Sequence, residues 1–172
     1  MAAPEILIWF VNSVWFMMPA FICNGICTLV GGGQPIDGGK YFRDGKRILG
    51  DGKTVRGFIA GLTAGFIVGL AQTAFEPNIF AGLLFGGVEA LGGLLGDLLG
   101  SFIKRRLGKK DLMVLDQLGF LVVAILVTVP IFGLPASTDL IPFLVVIIPF
   151  TFCAHVFFNL FSYFRGLQAK PL

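Results

Sequence analysis

An all-α integral membrane protein, a single domain built as a bundle of five transmembrane helices, is the fold this sequence predicts. Three observations carry the prediction. Of 172 residues, 56% are hydrophobic and only 13% charged, whereas a water-soluble domain carries about 25% charged residues. Long stretches hold no charge at all: between Glu5 and Asp37, Arg56 and Glu76, Asp116 and Asp139, and Asp139 and Arg165. Every Lys and Arg falls in alternate connections between the expected spans or after the last of them. The same composition excludes a disordered chain, a basic nucleic-acid-binding domain and a small disulfide scaffold.

Crossing about 30 Å of hydrocarbon takes about 20 mostly apolar helical residues. The four uncharged runs, with the apolar run after Pro77, predict helices near 5–30, 57–75, 79–103, 115–133 and 140–164. The first run lacks a basic start and is too long for the apolar part of a cleavable signal, so it reads as a retained span. The third tolerates Glu89 and Asp97. Of the 13 basic residues, six lie at 40–56, five at 104–110, and Arg165 and Lys170 follow the last span. The turns around Glu76-Pro77-Asn78 and 133–139 have none, so the positive-inside rule places the N-terminus outside, the C-terminus inside, and loops 31–56 and 104–114 in the cytoplasm.

Gly57, Gly61, Gly65 and Gly69 recur every four residues on the second span, and Gly92, Gly96 and Gly100 on the third. Small residues at this spacing let helix backbones approach closely in lipid. Packing within one bundle is the main expectation and a homodimer seam the alternative. Cys23, Cys27 and Cys153 all lie in apolar stretches and read as buried packing residues, with no redox or metal role.

The polar chemistry concentrates in GGGQPIDGGKYFRDGKRILGDGKTVRG, from Gly31 to Gly57, with three Asp and six basic residues among nine Gly. Glycine lets backbone turn tightly and approach a ligand, while interspersed Asp and Lys/Arg suit a metal-bound polyphosphate. A loop whose charges merely fix topology is the plain alternative. Gly52-Lys53-Thr54 imitates the end of a P-loop, but Arg47 stands where the first glycine belongs and no strand precedes it. Lys53 and Arg56 remain phosphate-binding candidates.

On a helix turning 100 degrees per residue, Asp97, Ser101 and Lys104 fall within about 60 degrees of one another. An acid inside an apolar segment is a functional candidate; an ion pair with Lys104 is the plain reading of Asp97. Glu89, more deeply placed, is either a partner behind the site or a protonated packing residue. Asp116 opens the fourth span on the same side, so Asp97 and Asp116 approach one boundary from neighbouring helices, as a Mg2+ site would require. Asn24 just before the loop is either a ligand contact or a helix-to-helix hydrogen bond. Asn12 lies further out, and His155 and Asn159, four apart on the last span, are expected to bond within the bundle.

The run PAFICNGICTLVGGGQPIDGGKYFRDGKRILGDGKTVRG, then GDLLGSFIKRRLG and DQLGF, resembles archaeal CDP-archaeol synthases, CTP-dependent cytidylyltransferases of ether-lipid synthesis. The match runs from Pro19 to Phe120. The resemblance implies conversion of CTP and unsaturated archaeol phosphate to CDP-archaeol and diphosphate, with Mg2+ on Asp97 and Asp116 and with Lys104 beside them as a third catalytic group. It implies a CTP site drawing on Asn24, Asp37, Asp51 and Lys53-Thr54 with Arg56, and on Ser101, Lys104 and Arg105 from the third span.

More distantly, Ser101 to Arg105, Asp111 and Asp116 look like the signature of bacterial and eukaryotic CDP-diacylglycerol synthases. Gly119 departs from it by standing where that signature has a second acid, for which Asp37 or Asp51 is the candidate substitute. The competing classes are a small transporter or channel subunit, which predicts polar residues across the whole membrane depth, and a CDP-alcohol phosphotransferase, whose motif is absent.

Overall fold

The computed structural model describes residues 3–74, 78–108 and 113–164, except the side chains of 3, 4, 113–116, 158, 159, 161 and 162. Six helices follow in order: α1 Ala3–Phe16, α2 Met18–Val30, α3 Val55–Gln72, α4 Ile79–Leu107, α5 Met113–Phe132 and α6 Leu140–Phe164. They form two compact units, Met1–Phe16 with Leu134–Leu172, and Met17–Gly133.

The last four expected helices stand where the sequence put them, with ends shifted by a few residues. The first is corrected: the run 5–30 is two helices broken at Met17. Pro19 causes the break. It has no N–H to give the carbonyl one turn back, and its ring collides with that carbonyl, so it is accommodated only in the first turn of a new helix. Among the described residues three helices (α3, α4 and α6) are long and apolar enough to cross a membrane, and α1 with α2 makes a fourth if the broken pair is one crossing. Over its described side chains α5 is a shorter apolar helix.

In the larger unit α4 is central, packing against α2, α3 and α5, while α2 also packs on α3. The interior is lined with glycine and the exterior with large apolar side chains. Gly57, Gly61, Gly65, Gly69, Gly92, Gly96 and Gly100 are all buried, while Ile59, Ile67, Leu95, Leu99 and Leu126 are exposed. This inversion of a water-soluble core suits lipid, where close backbone packing replaces hydrophobic collapse as the force between helices. Both stripes are used within the chain. A Cβ on Gly61 would meet the Cys23 carbonyl of α2 at 2.9 Å, one on Gly69 the Gly86 Cα of α4 at 2.7 Å, and one on Gly96 the Phe120 Cα of α5 at 2.9 Å.

Cys23 and Cys27 are free thiols at the same seams, their Sγ atoms directed at the carbonyls of Ala90 (3.8 Å) and Gly57 (3.2 Å). They are packing residues, as expected. Cys153 is corrected: it is an exposed thiol on α6. In the smaller unit, Asn12 Nδ2 donates to the Ala136 carbonyl at 2.7 Å, and Phe10 of α1 meets Phe150 of α6 edge-on at 5.8 Å.

Candidate active site

Three helix ends of the larger unit gather around residues 31–54: the C-terminus of α2, the N-terminus of α3 and the C-terminal turns of α4. The segment has no regular strand and is tied by two antiparallel bridges, Pro35 with Thr54 and Tyr41 with Arg47. Its organiser is Asp37, whose side chain is completely buried. One carboxylate oxygen accepts from Gly39 N (3.0 Å) and Arg47 Nη2 (2.9 Å); the other accepts from Leu49 N (3.0 Å), Gly50 N (3.2 Å) and Arg47 Nε (3.3 Å). Burial alone would push this carboxyl up, but Arg47 and the three amides outweigh it and hold it well below the usual carboxylate range. Arg47 is correspondingly held above its ordinary value by Asp37 first and then by Asp51, which it meets at 2.7 Å.

The loop is fastened along α4 by two arginines. Arg105 Nε donates to the Leu49 carbonyl at 3.1 Å, and its guanidinium fills the space that a side chain at Gly50 would need. Gly50 has φ +115°, so glycine is required there for conformation as well as for room. Arg106 donates to the carbonyls of Lys46 and Arg47 and pairs with Asp44 at 3.0 Å. Its guanidinium lies 4.9 Å from the Phe42 ring centre and 4.7 Å from that of Phe102, a cation set against two rings that themselves meet edge-to-face. Lys46 returns a bond to the Arg106 carbonyl at 2.8 Å, closing the end of α4.

A third fastening has a different character. Lys53 Nζ lies 2.7 and 2.6 Å from the two carboxylate oxygens of Asp97, joining the loop to the middle of α4's last four turns. Both side chains keep partial exposure, 28% for Lys53 and 16% for Asp97. The plain alternative for Asp97 was an ion pair with Lys104; its ion-pair partner is Lys53, because the loop folds back over α4. Ser101, one turn further on, is buried, and its hydroxyl has no hydrogen-bond partner among the described residues.

The remaining predicted residues divide by what they touch. Thr54 is the N-cap of α3, accepting from Gly57 N at 3.1 Å. Arg56 closes the end of α2, donating to the carbonyls of Val30 and Gly31 at 2.7 Å each. Asp51 is largely exposed, and Asn24 is part-buried on α2. Lys104 is part-buried on the same α4 face as Asp97. The side chains of Asp116 and Asn159 lie outside the described residues, as does Asp111. The backbone nevertheless explains Gly119: a Cβ there would meet the Gly96 carbonyl at 3.0 Å. Position 119 is a helix-packing position in this protein, and Asp116 lies three residues before it in the first turn of α5.

Sequence reasoning missed Arg47, Asp44, Arg106 and the Phe42–Phe102 pair. Only the charge alternation of the loop and the KRR run at the end of α4 hinted at them.

Among the described residues no group of three or more His, Cys, Asp or Glu side chains converges. A Mg2+ ion bound with a polyphosphate asks for less, one or two carboxylates with the rest supplied by water and phosphate oxygens. Asp97 fits that requirement. Its two oxygens face a mobile class of side chain, an ammonium group, and not the fixed amides that enclose Asp37. Glu89 is fully buried and neither of its oxygens has a hydrogen-bond partner among the described residues.

Fold and site together define a class: a multi-pass helical membrane protein whose charged, glycine-rich loop is clamped over an acidic helix position at one end of a glycine-packed bundle. The CarS-like CDP-archaeol synthase family model matches residues 6–171, and the chain belongs to that family. The CDP-archaeol synthase of Thermococcus kodakarensis is 43% identical over 166 residues, covering 92% of this chain and 94% of the relative. That of Pyrococcus horikoshii is 42% identical over 168 residues, covering 93% and 95%. A solved structure of an intramembrane enzyme for archaeal membrane lipids biosynthesis superposes with a TM-score of 0.77 at 32% identity, over 88% of this chain and 94% of that one. The transporter and phosphotransferase alternatives are not the family matched.

Proposed function

We propose that this protein transfers the cytidylyl group of CTP to an archaeal ether-lipid phosphate, unsaturated archaeol phosphate, giving CDP-archaeol and diphosphate. A phosphate oxygen of the lipid attacks the α-phosphorus of CTP in line. The new P–O bond forms as the bond from that phosphorus to the bridging oxygen breaks, and diphosphate leaves with the electron pair. The attacking phosphate is already anionic, so no protein nucleophile is needed. The work of the chain is to position two anions and neutralise charge. Lys53, Lys104 and Arg105 are the cations for the triphosphate, with Ser101 and Asn24 as neutral contacts. Asp37, Thr54 and Arg56 act by shaping the loop and the helix ends from which these groups project.

Asp97 and Asp116 are the carboxylates that would hold Mg2+, which when bound shields the triphosphate charge. We assign the site to the cytoplasmic side, with five crossings and the N-terminus outside. The support for this is that all 13 basic residues fall in two alternate connections or after the last span.

The observation that carries the reading is the Lys53–Asp97 contact, which brings the loop's phosphate-binding lysine onto the intramembrane acid 44 positions away. The test is a reconstitution in vesicles containing archaeol phosphate. CTP should yield diphosphate and a CDP-lipid in equal amounts, and EDTA should stop both. Diphosphate release without a lipid product, or neither, would refute the assignment.

A further inference from the structure

Asp97 and Lys53 are each assigned above to a ligand of opposite charge, yet in the structure they are bound to one another. Both oxygens of Asp97 are engaged by the same ammonium group, at 2.7 and 2.6 Å. A positive charge therefore already sits at the carboxylate that the reaction's divalent cation would use. The other loop fastenings differ in kind. Arg105 and Arg106 hold backbone carbonyls, with Arg106 also on Asp44, and Asp37 holds backbone amides and Arg47, so none of them sets a phosphate-binding cation on the carboxylate assigned to the divalent cation. Among the loop fastenings described, the Lys53–Asp97 contact joins two substrate-facing charges, and its partial exposure leaves it open to exchange. Lys53 also lies in a segment whose two sides are pinned: Gly50 by Asp37 and Thr54 by its cap on α3. A lysine side chain with four rotatable carbons can swing between ligands without the loop coming loose.

We infer that Lys53 is a placeholder cation for Asp97, so that the site takes the divalent cation and the triphosphate together and resists either alone. A triphosphate draws the ammonium group away and exposes the carboxylate; a divalent cation on the carboxylate releases the ammonium group to the phosphates. Each ligand removes the competitor of the other, which is positive coupling between two binding events. The inference rests on the assignment of Asp97 to the cation and Lys53 to the phosphates.

The tests are binding measurements on the full-length protein in detergent, without lipid substrate. Lys53→Met removes the placeholder, so Mn2+ alone should bind at least about fivefold more tightly than to the unmodified protein. Asp97→Asn frees the lysine, so CTP in EDTA should likewise bind at least about fivefold more tightly, a gain that a plain loss-of-site reading does not predict. That factor corresponds to one partly exposed ion pair. The two arms are independent, so failure of one variant to fold leaves the other decisive.

If Asp97→Asn binds Mn2+ as well as the unmodified protein, Asp97 is not the cation's carboxylate, and the site assignment falls together with the inference. If Asp97→Asn loses Mn2+ binding but Lys53→Met gains none, or CTP in EDTA binds Asp97→Asn no better, the assignment stands and the placeholder is refuted.

Discussion

Replacing Asp37 by Asn tests whether this residue builds the loop or touches the nucleotide, and the structure permits the cost to be worked out. The carboxylate accepts five hydrogen bonds, two on one oxygen and three on the other. An amide keeps one acceptor and turns the other into a donor. Whichever way it is flipped, its NH2 group faces at least two N–H donors, and the Arg47 guanidinium loses its charged partner. Stranding two or three buried donors at about 1–3 kcal/mol each, with a broken buried pair at about 3–5 kcal/mol overall, places the loss near 3–5 kcal/mol for the loop. Hydrogen exchange at the Leu49 and Gly50 amides should rise by at least about a hundredfold, and CTP affinity should fall because Lys53 is no longer placed. If exchange is unchanged while CTP binding is lost, Asp37 contacts the nucleotide and the scaffolding account is wrong.

The same group sets an acid limit. Its folded pKa is depressed, so its contribution is fully present above the unfolded carboxylate range, about 4, and is lost as pH falls from there through the depressed folded value. Protection of these amides should therefore persist through pH 5 and decline only below about 4; a decline centred near pH 6 would point to another group.

Arg56→Gln removes two bonds to the closing carbonyls of α2, so it should lower thermal stability by about 1–3 kcal/mol. A loss of CTP affinity with no change in melting would instead make Arg56 a phosphate ligand. Gly96→Val sets a branched side chain against the backbone of α5 and should cost at least about 1–3 kcal/mol, read as a lowered Tm in detergent; an unchanged Tm would mean that α4 and α5 do not cross there. For topology, a cysteine at Asn78 or Ser137 should react with an impermeant thiol reagent from outside, and one at Gly39 or Lys109 should not. The opposite pattern would invert the assigned orientation.

Much of this protein was legible before any coordinates, because lipid and charge act on sequence directly. Apolar runs of helical length located α3 to α6 within a few residues, since a backbone in hydrocarbon must satisfy its hydrogen bonds internally. The four-residue glycine spacing announced close helix packing, and the single acid amid DLLG marked Asp97 as out of place. Even the break at Met17 was written in Pro19, although the uncharged run alone gave no sign of it.

What tertiary structure decided is which charge meets which. Along the sequence Asp97 neighbours Lys104, and periodicity rightly sets the two on one face of α4. The partner is nevertheless Lys53, because the loop returns across the end of that helix, a contact that no local spacing encodes. Asp37, Asp51, Lys53 and Arg56 read alike as polar residues in a glycine-rich segment. Folding separates them into a buried organiser, an exposed carboxylate, an exchangeable cation and a helix cap. Pattern reports the environment that a residue must tolerate, whereas the partner of a charge depends on chain reversals set by Gly50, Asp37 and the two arginines together.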